Sequence, residues 1–306
     1  MIMLFLHFNS YLYDMKKILV IGCNGQLGNK IRDNHSMVAN AEFDYVDIDK
    51  LDISNIEAVH DFFAKTKYDV VINCAAYTAV EKAEDDIENA TRANAIAPQN
   101  LAKGSNKFGY KLIHVSTDYV FNGQANTPYS EDMPTNPVSV YGRTKLEGEQ
   151  NIAAENCDAV IVRTAWLYSE YGNNYVKTMI RLGSEGKIKG VVYDQVGSPT
   201  YAGDLAKALL TISDFYLNRN EWHGGIYHFT NRGVCSWYDF TMHIFRLTGI
   251  EAKVNPLLTC EYPTKATRPT YSVLNTKKIA TTFGIEIPYW TDSLREMLDR
   301  YNELNA

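Results

Sequence analysis

The chain has no cysteine pair at CxxC spacing, no histidines at HxH or HxxxH spacing, no basic cluster and no internal repeat or low-complexity tract. Each absence closes a class of function. Its five cysteines, at 23, 74, 157, 235 and 260, are scattered and odd in number. That argues against a structural zinc or a disulfide framework and for a reducing compartment, here the cytoplasm. Seven unclustered histidines offer no ligand set for a histidine-built metal centre. A net charge of -6 leaves no electrostatic footprint for nucleic acid. No apolar run reaches the roughly 20 residues that a membrane span needs. The mostly apolar stretch Met1–Phe8 also lacks a basic n-region and a small-residue cleavage site. Residues 1–14 therefore read as an extension from an upstream start, with Met15-Lys16-Lys17 as the usual beginning.

What is present suits an α/β enzyme. With 45% apolar and 22% charged residues, 306 residues can bury a full core. Short β-branched runs alternate with helical patterns. Strands are expected at 17–21, 43–49, 69–73, 111–116 and 159–163, and helices at 55–65, 87–104 and 140–156. Asn122 to Pro137 reads as a loop. Such alternation means βαβ units and a parallel sheet. After Trp166 the rhythm loosens, with helices expected at 174–183, 204–215 and 236–247. The strand-like 225–230 could rejoin the sheet, so the later part is expected to interleave with the first.

Three local patterns carry chemistry. Lys17–Ile21 runs into Gly22-Cys-Asn-Gly25-Gln26-Leu27-Gly28. This GxxGxxG turn, between a strand and a helix, lets backbone N–H groups and a helix N-terminus approach a pyrophosphate. Tyr141 and Lys145 lie four residues apart, on one helix face. An ammonium beside a phenol should lower its pKa, and the pair suits protonation of a reduced ketone. Ser116 and Thr117 end a strand, where a hydroxyl can hold a substrate carbonyl beside that tyrosine. The small residues Ala75 and Ala76 end the preceding strand, leaving room for a ribose.

In this order, GxxGxxG, Asn73-Cys-Ala-Ala-Tyr-Thr-Ala-Val-Glu-Lys-Ala-Glu84, Ser116-Thr-Asp-Tyr-Val-Phe121, Tyr141-Gly-Arg-Thr-Lys145 and Asp194-Gln-Val-Gly-Ser-Pro-Thr200 resemble the extended short-chain dehydrogenase/reductase family. Among its branches they look most like the reductases of dTDP-linked 4-keto-6-deoxysugars. The resemblance runs from Met15 into the C-terminal region. It implies a Rossmann-type doubly wound parallel sheet over 15–165 that binds NAD(P). It implies a smaller, interleaved substrate-binding domain over 166–306, with segments near 191–217 and 225–230 returning to the first. It implies Thr117, Tyr141 and Lys145 as the catalytic set. Gly22, Gly25, Gln26, Leu27 and Gly28 would meet the cofactor pyrophosphate, and Asp47 and Ile48 the adenosine ribose. Ala75, Ala76, Tyr77 and Thr78 would face the nicotinamide, with Tyr141 and Lys145. Thr117, Asp118, Tyr119, Trp166 and Arg268 would bind a dTDP-sugar.

The resemblance implies NADPH, with NADH tolerated, although an acid at the end of the second strand usually favours NADH. The acidic residues that bind Mg²⁺ in some relatives have no clear counterpart here, so no metal ligand is assigned. A homodimer is the assembly carried as an expectation. Neighbouring activities read differently. A 4,6-dehydratase of this family has glutamate where this chain has Tyr119. Reductase-like regulatory subunits typically lose part of the catalytic set, which this chain keeps.

Overall fold

The computed structural model describes residues 15–305. The extension expected at 1–14 lies outside the described residues. The main sheet has six parallel strands: β1 (Lys16–Ile21), β2 (Ala41–Val46), β3 (Val70–Asn73), β4 (Lys111–Thr117), β5 (Val160–Thr164) and a last strand, Gly225–His228. Their order is Gly225–His228, β5, β4, β3, β1, β2. Strand order therefore reverses between β1 and β3, and a cleft opens beyond the carboxyl ends of that pair, where open α/β sheets bind ligands. The sheet is Rossmann-like, as the sequence pattern implies.

Both sheet faces are covered, which explains why the strands read as continuous apolar runs. Ile18, Val20, Ile72 and Val162 point to the helices Gln26–Asn34 and Ala202–Arg219. Leu19, Ile21, Val71 and Leu112 point to Ile56–Lys65 and Ala97–Phe108. A separate core forms around Tyr168, Val176, Phe240, Ile244, Trp290 and Leu294. It packs the helices Tyr175–Ser184, Trp237–Thr248 and Trp290–Asn305 with small sheets of two or three strands, each strand two or three residues long. Gly190–Val192 pairs there with Asn255–Leu257.

Two expected elements differ. The second strand ends at Val46, not Asp49. The Val46 carbonyl is taken by the Gly22 and Cys23 N–H groups, and the Asp47 carbonyl accepts from Lys50 and Leu51, turning the chain. The long helix from Ile87 continues to Phe108 but is interrupted by a π-helical turn, Arg92–Ile96. Among the described residues no helix is long and apolar enough to cross a membrane.

Candidate active site

The glycine turn is built as its spacing requires. Gly22 has φ +76°, and a Cβ there would lie 2.7 Å from the Ala75 nitrogen. A Cβ on Gly28 would lie 2.5 Å from the Cys23 Cα. The two glycines thus press the loop against β3's end and against its own helix. That helix has Gly25 at its N-cap, no side-chain cap and no acid in its first turn, so its first N–H groups face the cleft free of competing oxygens. Asp47 closes the loop's other side, its carboxylate accepting from Asn24 N at 3.0 Å and Ile48 N at 2.9 Å. Ile48 itself is exposed. Asp47, Ile48, Gly22, Gly25, Ala75, Ala76 and Tyr77 line one cavity of about 550 Å³.

A second cavity of about 560 Å³ continues from it, and here the chemistry collects: Gln26, Leu27, Gly28, Thr78, Thr117, Asp118, Tyr119, Tyr141, Lys145, Trp166 and Arg268 all line it. The sequence-read residues are therefore brought together, across more than 240 positions of chain.

Helix Val140–Ala154 delivers Tyr141 from its first turn. Ser139 caps it through Gly142 N at 3.1 Å, and Glu84 accepts from Val140 N at 2.8 Å. Gly142 is needed because a Cβ would collide with the Tyr119 carbonyl. The Tyr119 ring meets the Tyr141 ring edge-on, 5.4 Å between centroids. Burial pushes the Tyr141 phenol up to about 12, partly offset by its hydrogen bond with Thr117. This corrects the expectation of a lowered phenol. The Lys145 ammonium donates to the Val115 carbonyl at 2.7 Å and lies 3.3 Å from His114 Nε2, and no hydrogen bond joins it to Tyr141 among the described residues. Burial lowers Lys145 to about 8.

Thr117 and Ser116 diverge. The Ser116 hydroxyl donates away from the cleft, to Glu149 at 2.5 Å, within a buried pair where Arg163 binds Glu149 at 2.6 Å. The Thr117 hydroxyl donates to Asp118 at 3.0 Å and accepts from Tyr119 N at 3.2 Å. Its single proton must rotate away from Asp118 to reach a substrate oxygen. Burial raises Asp118 to about 6.

Trp166 differs from its expected use. Its indole stacks on Trp237 with centroids 3.5 Å apart, and a Cβ on Gly197 would lie 2.7 Å from the ring. One face is thus given to protein rather than left open for a sugar. Trp166 also sits at φ +51°, a conformation that costs a non-glycine residue about 1–3 kcal/mol. Arg268 lines this cavity and a third one of about 690 Å³, which runs past Tyr175, Met179, Val191, Trp237, Leu257 and Tyr262.

Several contacts of the site escaped the sequence reading. Asn94, buried in the π-turn, accepts from Tyr77 N at 2.9 Å, donates to Tyr77 O at 3.1 Å and donates to Thr144 at 3.1 Å. It fixes the Tyr77 backbone to the helix that carries Tyr141 and Lys145. Gln26 accepts from Asn174 at 3.0 Å and Ser169 at 3.3 Å, joining the glycine turn to the far side of the cleft. His114 lies between Asn73 and Lys145 and is held neutral by burial. Asn174 lies in Gly172-Asn-Asn-Tyr175, a stretch that also carries the family resemblance.

Comparisons with known proteins agree on the fold. The family model described as RmlD substrate binding domain matches residues 15–303. A dTDP-4-dehydrorhamnose reductase from Aggregatibacter actinomycetemcomitans is 38% identical, covering 92% of this chain and 98% of that protein. The crystal structure of a dTDP-4-dehydrorhamnose reductase from Clostridium acetobutylicum superposes with a TM-score of 0.88 at 47% identity, covering 94% of this chain and 99% of that one. The Bacillus anthracis dTDP-4-dehydrorhamnose reductase, solved in complex with NADP, gives 0.87 at 36% identity, covering 93% and 99%.

Proposed function

This chain belongs to the RmlD substrate binding domain family, and from that membership we propose that it reduces the C4 ketone of dTDP-4-dehydro-L-rhamnose to dTDP-L-rhamnose, a step of dTDP-rhamnose biosynthesis that feeds polysaccharide synthesis. The observation that carries the reading is the convergence of Thr117, Tyr141 and Lys145 on one cavity continuous with the glycine turn. The protein is an NAD(P)H-dependent oxidoreductase, and the nicotinamide, when bound, supplies the hydride. The glycine turn and the uncapped helix N-terminus take the pyrophosphate. Asp47 takes the adenosine ribose, and Ala75 to Thr78 border the nicotinamide. Family membership favours NADPH as the donor, with NADH accepted; Asp47 works against a 2′-phosphate but does not close the cavity to it.

Thr117 rotates its hydroxyl from Asp118 to the ketone oxygen and holds it beside Tyr141. Tyr141, kept protonated at neutral pH by burial, gives its phenolic proton to that oxygen as it gains charge. Lys145 neutralises the phenolate that remains. Trp166 with Trp237 forms an aromatic wall beside the sugar. Arg268 meets the diphosphate, and the cavity beyond it takes the thymidine. The substrate lobe begins near residue 166; 202–219 and 225–228 return to the sheet, whereas 190–192, expected to return with them, pairs with 255–257 in the second core.

The test is turnover of dTDP-4-dehydro-L-rhamnose with NADPH and with NADH, with NMR of the product. A C4-epimeric product would reassign the substrate orientation to a 6-deoxytalose-forming reductase. Dinucleotide binding with no turnover would move the chain to the regulatory, non-catalytic reading.

A further inference from the structure

The segment Thr78–Glu84 is distinctive in the sequence, yet the chemistry above gives Glu81 no task. Glu81 stands on the short helix Val80–Ala83, just past the residues that border the nicotinamide. Its Oε2 accepts from the backbone N–H groups of Lys265 at 2.9 Å and Ala266 at 3.2 Å. Its Oε1 accepts from Arg268 Nη2 at 2.7 Å and Nε at 3.3 Å. The Lys265 ammonium pairs with Asp85 beside it. One turn of the sheet side of the cleft therefore holds a loop that lies more than 180 positions later in the chain.

The arrangement of donors indicates what this is for. A guanidinium offers five N–H donors in a fixed fork. Glu81 engages the Nε/Nη2 edge and leaves Nη1. Arg268 lies where the chemistry cavity meets the cavity past Tyr175 and Tyr262. A sugar nucleotide laid through both places its diphosphate at that junction. A free arginine would lose rotamer entropy on being fixed there by phosphate; one already held by a carboxylate loses less. We infer that Glu81 is a positioning residue, which presets the Arg268 guanidinium and the 265–268 loop for the diphosphate of the substrate. This rests on the reading of the cleft as a sugar-nucleotide site.

The experiment is a double-mutant cycle in the full chain with E81Q, R268A and the double variant. Two readouts are taken: steady-state kinetics with dTDP-4-dehydro-L-rhamnose, and calorimetric binding of dTDP alone. R268A raises KM and the dTDP Kd roughly tenfold or more, the scale of a lost charged hydrogen bond. E81Q raises both about three- to tenfold, with kcat and the NADPH KM within about twofold, because Glu81 touches no reacting atom. The double variant is no worse than R268A alone, because Glu81 acts only through Arg268. An unchanged or lowered dTDP Kd in E81Q, or an additive double variant, overturns the role of Glu81. An unchanged Kd in R268A removes the arginine from the site and Glu81 with it. A wild-type protein that binds dTDP but does not turn over the sugar leaves Glu81 in place and overturns the reaction instead.

Discussion

On one side of the cleft, Gly22, Asp47, Ala75 and Thr117 stand at or just past the ends of parallel strands, and Tyr141 and Lys145 occupy the first turns of one helix. Six aligned strands and two packed faces fix them. On the other side, Trp166 follows a strand end at a strained φ, Asn174 caps a helix, Trp237 opens another, and Arg268 rides a loop held by Glu81. There the strands are two or three residues long, and position comes from aromatic stacking and single side-chain bonds. A rigid sheet suits a reaction whose geometry must not vary. A surface of stacked rings and tethered loop suits recognition, which tolerates adjustment and carries specificity.

That contrast can be broken most directly at its rigid end. Tyr141→Phe keeps the ring and removes the proton, so kcat should fall about 10²- to 10⁴-fold with dinucleotide binding intact. Wild-type turnover in this variant would move the chemistry elsewhere. Lys145→Met should weaken NADPH binding and lower turnover by about tenfold or more. It should also displace the basic limb of the pH–rate profile upward from near 8, where Lys145 loses its proton, toward the tyrosine at about 12. An unmoved limb would assign that ionisation to another group.

The adjustable side should respond differently. Gly197→Ala drives a methyl into the Trp166 indole, so KM for the sugar nucleotide should rise about three- to tenfold while kcat and NADPH binding hold. An equal effect on NADPH would show that the two sides move as one.

A fourth measurement probes the sheet side's buried polar core. Burial and Arg163 hold His228 near 3. The unfolded imidazole binds a proton below about 6.5. Between those values the unfolded chain holds more protons, so stability falls as pH drops through that window, by up to about 1.4 kcal/mol per pH unit for this site. His228→Gln should flatten the acid decline in melting temperature, and an identical slope would place the loss on other groups. The smallest effect is expected at Asp47→Ala, which should shift the NADPH/NADH preference toward NADPH by about two- to tenfold. A shift toward NADH would remove the carboxylate from the ribose.

The same contrast governs how much was legible in the sequence. The sheet side repeats one rule, an apolar run ending in small or polar residues, and period and composition reveal it. Strand positions and the Tyr141–Lys145 face follow from spacing alone. The π-turn did not, because an extra residue in a helix leaves no compositional mark. The direction of the Tyr141 shift was missed because burial is a property of the packed neighbourhood, and spacing said only that a lysine could be near. Trp237 and Glu81 take their place in the site through distant residues, Trp166 and Arg268, 71 and 187 positions away.

The π-turn at Arg92–Ile96 marks a place where the protein keeps count. Deleting one residue there would restore an ordinary helix and swing everything before it by about 100°. Asn94 would leave Tyr77 and Thr144 together. Gly148, whose missing Cβ makes room for the Asn94 carbonyl, would face a surface it no longer fits. The turn should therefore tolerate no change in length, and at Asn94 no change of side chain either.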